Sequence, residues 1–262
     1  MRADQLRAMT MNESESDRQT APAAAPALSV VAPMYNEAGG AGALVDEIAA
    51  ALSGVDHEII VVDDASSDAT LQTLRDARLR HPQLRIMRHE QNAGQSRALR
   101  TGVIAARAPV IAMLDGDGQN DPADIRELYR QLHGNTDLAM VAGERRGRQD
   151  VAAKKIASRA ANGIRRWLLK DGAADTGCGL KLFRRDAFLA LPYFDHMHRY
   201  LPALMAREGL AVAFAPVSHR ARAHGRSKYT NIGRALVAIR DLMGVLWLNA
   251  RARQPGNVSE DT

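Results

Sequence analysis

The sequence predicts an α/β fold, a mainly parallel central sheet flanked by helices, with an amphipathic helical extension near its C-terminal end. Three observations predict it. Short apolar runs alternate with segments of ten or more residues of helical character between residues 28 and 142, which calls for crossover units and parallel strands. Four of the apolar runs lead into clusters of polar and acidic residues, as expected where ligands bind outside the carboxyl ends of parallel strands. No apolar stretch approaches the roughly 20 residues needed to span a bilayer; the longest, Leu236 to Leu248, is interrupted by Arg240 and Asp241.

The elements follow in order. Leu28–Ala32 reads as a buried strand, Ala43–Leu52 as a helix, Glu58–Val62 as a second strand and Ala69–Arg80 as a second helix. Leu84–Arg88 is a weaker strand, Gln95–Ala106 a helix, and Val110–Leu114 a strand. Pro122–His133 is a helix with proline in its first turn, where the missing N–H costs nothing. Leu138–Ala142 closes this rhythm as a strand. Beyond it, Lys154–Leu169 reads as a basic helix and Leu180–Phe183 as a strand followed by a short helix near Asp186. Tyr200–Arg207 reads as a helix, Leu210–Val217 as a strand and Asn231–Ala250 as a long helix. The expected organisation is a disordered tail over 1–26, one domain over 27–230 with halves at 27–142 and 143–230, the amphipathic helix 231–250, and a disordered tail over 251–262.

Composition narrows the class. Hydrophobic residues are 46% and charged residues 25% of the 262, ordinary for a soluble globular chain that needs no staple. The single cysteine, Cys178, excludes an internal disulfide framework and a cysteine zinc site. Residues 1–26 are polar and end in an Ala-Pro run without the apolar core of a secretory signal, so a cytoplasmic location is expected. Charge is unevenly divided. Residues 1–140 carry 13 arginines, no lysine and 20 acids, a net of −7; residues 141–262 carry 22 basic residues and 10 acids, a net of +12. The second half is therefore suited to something anionic. Aromatic residues at 4% argue against stacking platforms for single-stranded nucleic acid, and no nucleic-acid partner is expected.

The chemistry concentrates at the strand ends. These are Pro33-Met34-Tyr35-Asn36-Glu37, then Asp63-Asp64-Ala65-Ser66-Ser67-Asp68, then Asn92-Ala93-Gly94, and Asp115-Gly116-Asp117-Gly118-Gln119. Asp115 and Asp117, one residue apart after a buried strand, can reach one hard cation, which would take its other ligands from water and substrate phosphates. The bland alternative for an Asp-Gly repeat is a turn. Asp63 and Asp64 are candidates to accept from a base or a ribose hydroxyl, whereas Asp68 reads first as a helix cap. There is no G-x-x-x-x-G-K-[ST] loop and no G-x-G-x-x-G after the first strand, so neither a P-loop nor a dinucleotide-binding domain is expected.

As an ordered set these motifs resemble the family 2 glycosyltransferases with a GT-A fold. The resemblance covers about residues 28–230 and extends through Asn120-Asp121-Pro122, Gly143-Glu144-Arg145, Asp175-Thr176-Gly177-Cys178-Gly179 and Arg222-Ala223-His224-Gly225-Arg226-Ser227-Lys228-Tyr229. More narrowly, the chain looks like the polyprenyl-phosphate branch typified by dolichol-phosphate mannosyltransferase and bacterial undecaprenyl-phosphate sugar transferases. The resemblance implies a nucleotide-sugar site formed by Pro33, Tyr35, Glu37, Asp63, Asp64, Asn92, Gly94, Asp115 and Gln119. It implies Mg²⁺ or Mn²⁺ on Asp115 and Asp117, with Asp117 and Asp175 in catalytic roles. It also implies an acceptor-phosphate grip by Arg145, Lys154, Ser158, Arg222 and Lys228, with Arg220 as the alternative to Arg222. One departure is Asp64-Ala65-Ser66, where glycine often holds the middle position.

The implied reaction is inverting transfer of a sugar from a UDP- or GDP-sugar to a polyprenyl (undecaprenyl) phosphate at the cytoplasmic face of the membrane. Because a phosphate monoester has a second pKa near 6, its oxygen needs little help from a general base at neutral pH. The helix 231–250 could lie on anionic lipid, on a twin subunit or on its own domain; a homo-oligomer or a separate membrane partner fits the same face. Arg165, Arg166 and Lys170 read as a solvated helix face, His196 and His198 as surface residues, Met205 and Met243 as core, and Cys178 as a residue near the site without a partner base. The rivals are the same fold acting on a saccharide or protein hydroxyl, a non-catalytic nucleotide-sugar-binding protein, and a D-x-D-G phosphatase. The last is disfavoured because about three crossover units precede the motif.

Overall fold

The computed structural model describes residues 25–145, 163, 165–220, 231–253 and 260. The expected tail 1–26 lies almost wholly outside the described residues, as does most of the expected helix 154–169, of which residues 165–169 are helical. The chain runs β1 (Leu28–Met34), α1 (Ala41–Ala51), β2 (His57–Asp63), α2 (Thr70–Arg80), β3 (Leu84–Arg88), α3 (Gln95–Ala105), β4 (Val110–Met113), α4 (Asp124–Gly134) and β5 (Leu138–Arg145). It continues with β6 (Lys181–Arg184), α5 (Arg185–Ala190), α6 (Leu201–Arg207), β7 (Ala211–Val217) and α7 (Asn231–Ala250).

The strands form one sheet in the order β3-β2-β1-β4-β6-β5-β7. β1 lies parallel to β2 and β4, β2 parallel to β3, and β5 parallel to β7. β6 is antiparallel to both neighbours, β4 and β5. Two reversals cancel, so β5 and β7 point the same way as β1 to β4. The loops after β1, β2, β3, β4, β5 and β7 therefore open on one edge, and β6 brings its beginning, rather than its end, to that edge. Chain order reverses between β1 and β4, which makes the crevice between their ends the natural ligand position.

Every residue of β1 is buried, and so are Glu58 to Asp63 of β2, because helices cover both faces. On one face α1, α2 and α4 pack through Leu44, Ile48, Leu74, Ile125 and Leu128. On the other, α3 and α6 pack through Leu99, Val103, Leu201 and Leu204. A Cβ on Gly102 would collide with Val31, so α3 approaches the sheet as closely as it does only because that residue is glycine. Buried polar groups at the opposite edge are matched. Glu58 accepts from Ser29 Oγ at 2.7 Å, Arg107 N at 2.7 Å and Arg85 Nη1 at 2.6 Å. Burial raises the Glu58 pKa, but these bonds outweigh it and hold the carboxyl below the ordinary value.

α7 docks on the second face. Val245 is wholly buried there, with Leu242, Leu246 and Leu248 against the same cluster. Tyr200 Oη donates to Ala238 O at 3.2 Å, Arg207 Nε to Leu248 O at 3.2 Å, and His196 Nδ1 lies 3.0 Å from Asp241. Its own domain thus takes one side of the helix. Ile239, Met243 and Trp247, spaced by four, stay exposed on another.

Candidate active site

The loops after β1 and β2 are stitched together by side chains. Asn36, in the left-handed region at φ 54°, accepts from Ser67 N at 2.8 Å, and its own N–H donates to Ser66 Oγ at 2.9 Å. Glu37 N donates to Thr70 Oγ1 at 2.8 Å. Asp68 accepts from Thr70 N at 3.0 Å and Ala38 N at 3.2 Å, which gives it the capping role read from sequence and joins the two loops as well. Pro33 is buried within β1, Tyr35 is exposed at the rim, and Glu37 is half-buried beside it.

The adjacent aspartates have different surroundings. Asp63 is wholly buried; its Oδ1 accepts from Ser66 N at 3.0 Å, and Arg88 Nε stands 3.8 Å from Oδ2. Asp64 spends both oxygens on the loop after β3. Its Oδ1 accepts from Ala93 N at 2.9 Å and lies 2.6 Å from His89 Nδ1, while its Oδ2 accepts from Gly94 N at 2.8 Å. Asn92 Nδ2 donates to Asp64 O at 3.1 Å, and His89 Nε2 reaches Thr101 Oγ1 at 2.9 Å. Asp64, Asn92 and Gly94 are thus one hydrogen-bonded unit. Gly94, at φ 85°, provides the turn that aims both N–H groups.

Asp115 and Asp117 follow β4, at the end of the crevice. Gly116 lies directly over the end of β1, where an added Cβ would stand 2.6 Å from Pro33 O. Asp115 Oδ1 accepts from Gln95 Nε2 at 2.6 Å, and its carboxylate rests against Gly179 at the approach to β6. Asp117 Oδ1 accepts from Gln119 N at 3.1 Å. Burial first, and the Asp117 charge second, push the Asp115 pKa up. Two hard oxygen donors crowded in this way suit a divalent cation, whose charge would relieve both the burial and the repulsion. Among the described residues no third His, Cys, Asp or Glu joins them.

Arg145 and Asp175, expected to act separately, are paired. Arg145 donates from Nε at 2.6 Å and Nη2 at 2.8 Å, and its N–H donates at 3.3 Å to the same carboxylate. The Asp175 partner raises the Arg145 pKa despite burial. A carboxylate held by a bidentate guanidinium is better placed to orient that guanidinium than to take a proton. Arg220 is bound to Glu47 at 2.6 Å and Asp121 at 2.7 Å, so its charge is already matched. Lys154, Ser158, Arg222 and Lys228 lie outside the described residues.

Several expectations are corrected. His198 is buried rather than on the surface, with Nδ1 2.8 Å from Ser96 Oγ, and its burial pushes its pKa well below 6.5. Arg165 is buried and paired with Asp171 rather than solvated, while Arg166 and Lys170 are exposed as expected. Met243 is exposed on α7 rather than core, whereas Met205 is buried as expected. Cys178, read as lacking a partner base, is buried, and that burial raises its thiol pKa, which disfavours the nucleophilic form in keeping with that reading.

Sequence reasoning missed Gln95, Lys181, His89 and the Ser96–His198 pair. Lys181 is 2% exposed, donates to Cys178 O, and has its pKa pulled down by burial against the opposing acids Asp115 and Asp175. A lysine inside the apolar run Leu180–Phe183 was the available signal. Gln95 carried none.

Comparison with known proteins adds three findings. The family described as Glycosyl transferase family 2 matches residues 29–191. The chain is 36% identical over 236 residues to a dodecaprenyl-phosphate galacturonate synthase of Rhizobium johnstonii, covering 88% of this chain and 69% of that protein. It is 32% identical over 206 residues to an undecaprenyl-phosphate 4-deoxy-4-formamido-L-arabinose transferase of Edwardsiella ictaluri, covering 77% of this chain but only 62% of that one. Among solved structures, a glucosyl-3-phosphoglycerate synthase from Mycobacterium tuberculosis, crystallised with Mn²⁺, UDP and glucosyl-3-phosphoglycerate, superposes with a TM-score of 0.68 at 19% identity. It covers 88% of this chain and 82% of that one. The shared architecture is the GT-A fold.

Proposed function

We propose that this chain, which belongs to glycosyl transferase family 2, moves a sugar from a UDP- or GDP-sugar to a polyprenyl phosphate. The observation that carries the reading is the carboxyl edge of the sheet. It brings the acidic pair Asp115–Asp117, the stitched loops at Tyr35–Glu37 and Asp63–Asp64, and the cation Arg145 to one crevice. The names of the two relatives supply the acceptor class.

In this reading the loops after β1 and β2 hold the nucleotide, with Pro33, Tyr35, Glu37 and Asp63 nearest to it and Asp64 shaping the Asn92–Gly94 turn. Asp115 and Asp117 would hold Mg²⁺ or Mn²⁺, with Gln119 beside them; the ion, when bound, offsets the charge of the departing diphosphate. An acceptor phosphate oxygen forms the new bond to the anomeric carbon from the face opposite the nucleotide. The bond to the diphosphate breaks with its electron pair, and the centre inverts. Arg145 spends Nε and Nη2 on Asp175, so Nη1 is the nitrogen with which it meets the acceptor phosphate. Lys154, Ser158, Arg222 and Lys228 complete that grip.

Among the described residues no helix is long and apolar enough to cross a membrane. The exposed stripe Ile239, Met243 and Trp247 on α7, with Arg240, Arg251 and Arg253 nearby, supports peripheral attachment to anionic lipid at the cytoplasmic face.

The test is label transfer from a panel of UDP- and GDP-sugars, galacturonate donors included, to undecaprenyl phosphate with Mg²⁺ or Mn²⁺. Metal-dependent label in the lipid phase, lost in Asp117→Ala, is the expected result. Transfer only to a soluble saccharide would overturn the acceptor assignment, and nucleotide-sugar binding without transfer to any acceptor would overturn the reaction.

A further inference from the structure

Asp115 receives a side-chain hydrogen bond from outside its own loop. The donor is Gln95, the first residue of α3, whose Nε2 reaches Asp115 Oδ1 at 2.6 Å. Gln95 is itself fixed from both sides. The preceding Gly94 N–H is held by Asp64 at 2.8 Å. The following Ser96 is wholly buried, with its Oγ 2.8 Å from His198 Nδ1 and accepting from His198 N at 3.4 Å. A glutamine on a solvated helix would lose appreciable rotamer freedom in making one such bond. Here the start of the helix is anchored to β2 on one side and to the segment before α6 on the other, so the amide is presented in place.

The two sides of Asp115 are therefore constrained differently. Gln95 takes Oδ1 by hydrogen bond, and the glycine backbone at 179 bounds the side of Oδ2. A carboxylate constrained at both oxygens has little rotational freedom, which removes an entropic cost from cation binding. Partners of this kind orient metal ligands in many sites, and their loss weakens affinity.

We propose that Gln95 is a positioning residue for the cation site, presetting the Asp115 carboxylate and linking it, through Gly94 and Asp64, to the loop that holds the nucleotide. The inference rests on the reading of Asp115 and Asp117 as the cation-holding pair. It assigns Gln95 no contact with substrate.

The experiment is Mn²⁺ titration of the full chain, followed by the paramagnetic resonance signal of unbound Mn²⁺, with and without UDP and GDP. Gln95→Met keeps the length of the side chain and removes the donor; Gln95→Ala is the second variant should the first fold poorly. The expected result is roughly a 10- to 100-fold weaker Mn²⁺ affinity in each variant, with the thermal midpoint nearly unchanged. Turnover should recover toward wild type at saturating Mn²⁺, a change in metal requirement more than in kcat. Wild-type Mn²⁺ affinity in both variants would overturn the positioning role while leaving the cation site standing. Failure of the wild-type chain to take up Mn²⁺ with either nucleotide would overturn both, and the two results are distinguished by which protein fails.

Discussion

Replacing Gly179 by alanine tests whether the Asp115 carboxylate must stay where it is. An added Cβ would stand 2.7 Å from Asn120 Oδ1 and closer still to the Asp115 carboxylate. An ordinary carbon–oxygen contact is about 3.3 Å or more. Asn120 would have to yield by roughly 0.6 Å and Asp115 by about 1 Å. A shift of that size does not preserve the 2.6 Å Gln95–Asp115 bond, because hydrogen-bond distances vary by only a few tenths of an ångström about their optimum. The stability cost of overpacking should be about 1–3 kcal/mol, a fall of several degrees in Tm for a domain of this size. The functional cost should be far larger, because a 1 Å misplacement near reacting groups can cost about 100-fold in rate. The assay is Mn²⁺ affinity and kcat/KM for sugar transfer, with Gly134→Ala as the control, since a Cβ there meets nothing within 4 Å. Wild-type affinity and turnover in Gly179→Ala would refute the reasoning, because they would show that the carboxylate can relocate without consequence.

Two further predictions concern charge. Burial depresses the His198 pKa well below 6.5, followed by the neighbouring charges of Arg199, Lys181 and His196; the folded chain therefore resists a proton that the unfolded chain accepts below pH 6.5. Its stabilising contribution is complete above pH 6.5 and is lost as pH falls toward the folded value, by at most about 1.4 kcal/mol per pH unit. Urea denaturation between pH 7 and pH 5 should show a shallower decline in His198→Asn, and parallel declines would refute the assignment. Asp175→Asn should cost about 2–3 kcal/mol, because Arg145 loses the charge of its partner but keeps one acceptor. It should raise KM for the lipid phosphate more than it lowers kcat, and disappearance of the acid limb of the pH–rate profile would instead make Asp175 a base.

The sheet was legible because buried parallel strands announce themselves as unbroken apolar runs, and its boundaries fell within one to three residues of the expected ones. β1 extends to Met34 and β5 to Arg145, two and three residues beyond their expected ends, since β1 stays paired with β2 through Met34 and β5 with β7 through Arg145. The acidic pairs were legible for the same reason, as polar residues abruptly ending apolar runs. The reversal of β6 was not. Nothing local distinguishes a four-residue apolar strand that runs up from one that runs down, and only its pairing with β4 and β5 decides. That reversal places Gly179 and Lys181 beside Asp115, so the residues that shape the cation loop from behind were invisible in the linear order. His198 was misread on similar grounds. Its burial depends on Ser96, 102 residues earlier, and a lone histidine among polar neighbours carries no sign of such a partner.

The one departure from the family pattern singled out in sequence now has a structural meaning. Ala65 stands where glycine is frequent, and it adopts φ 61°, in the left-handed region that costs an L-residue with a Cβ roughly 1–2 kcal/mol. The residue is held there because its neighbours are all committed. Asp64 before it clamps the Asn92–Gly94 turn with both oxygens, while Ser66 after it donates its N–H to Asp63 and receives the N–H of Asn36 on its hydroxyl. Asn36, on the adjoining loop after β1, is itself left-handed. Two non-glycine residues in a sparsely populated conformation, on facing loops and bonded through the same serine, form an over-determined junction. Strain persists at such junctions when surrounding bonds exceed its cost. The loops that would receive the nucleotide are thus set by their bonds to one another, and the chain tolerates alanine at 65 because that geometry does not depend on the freedom of a glycine.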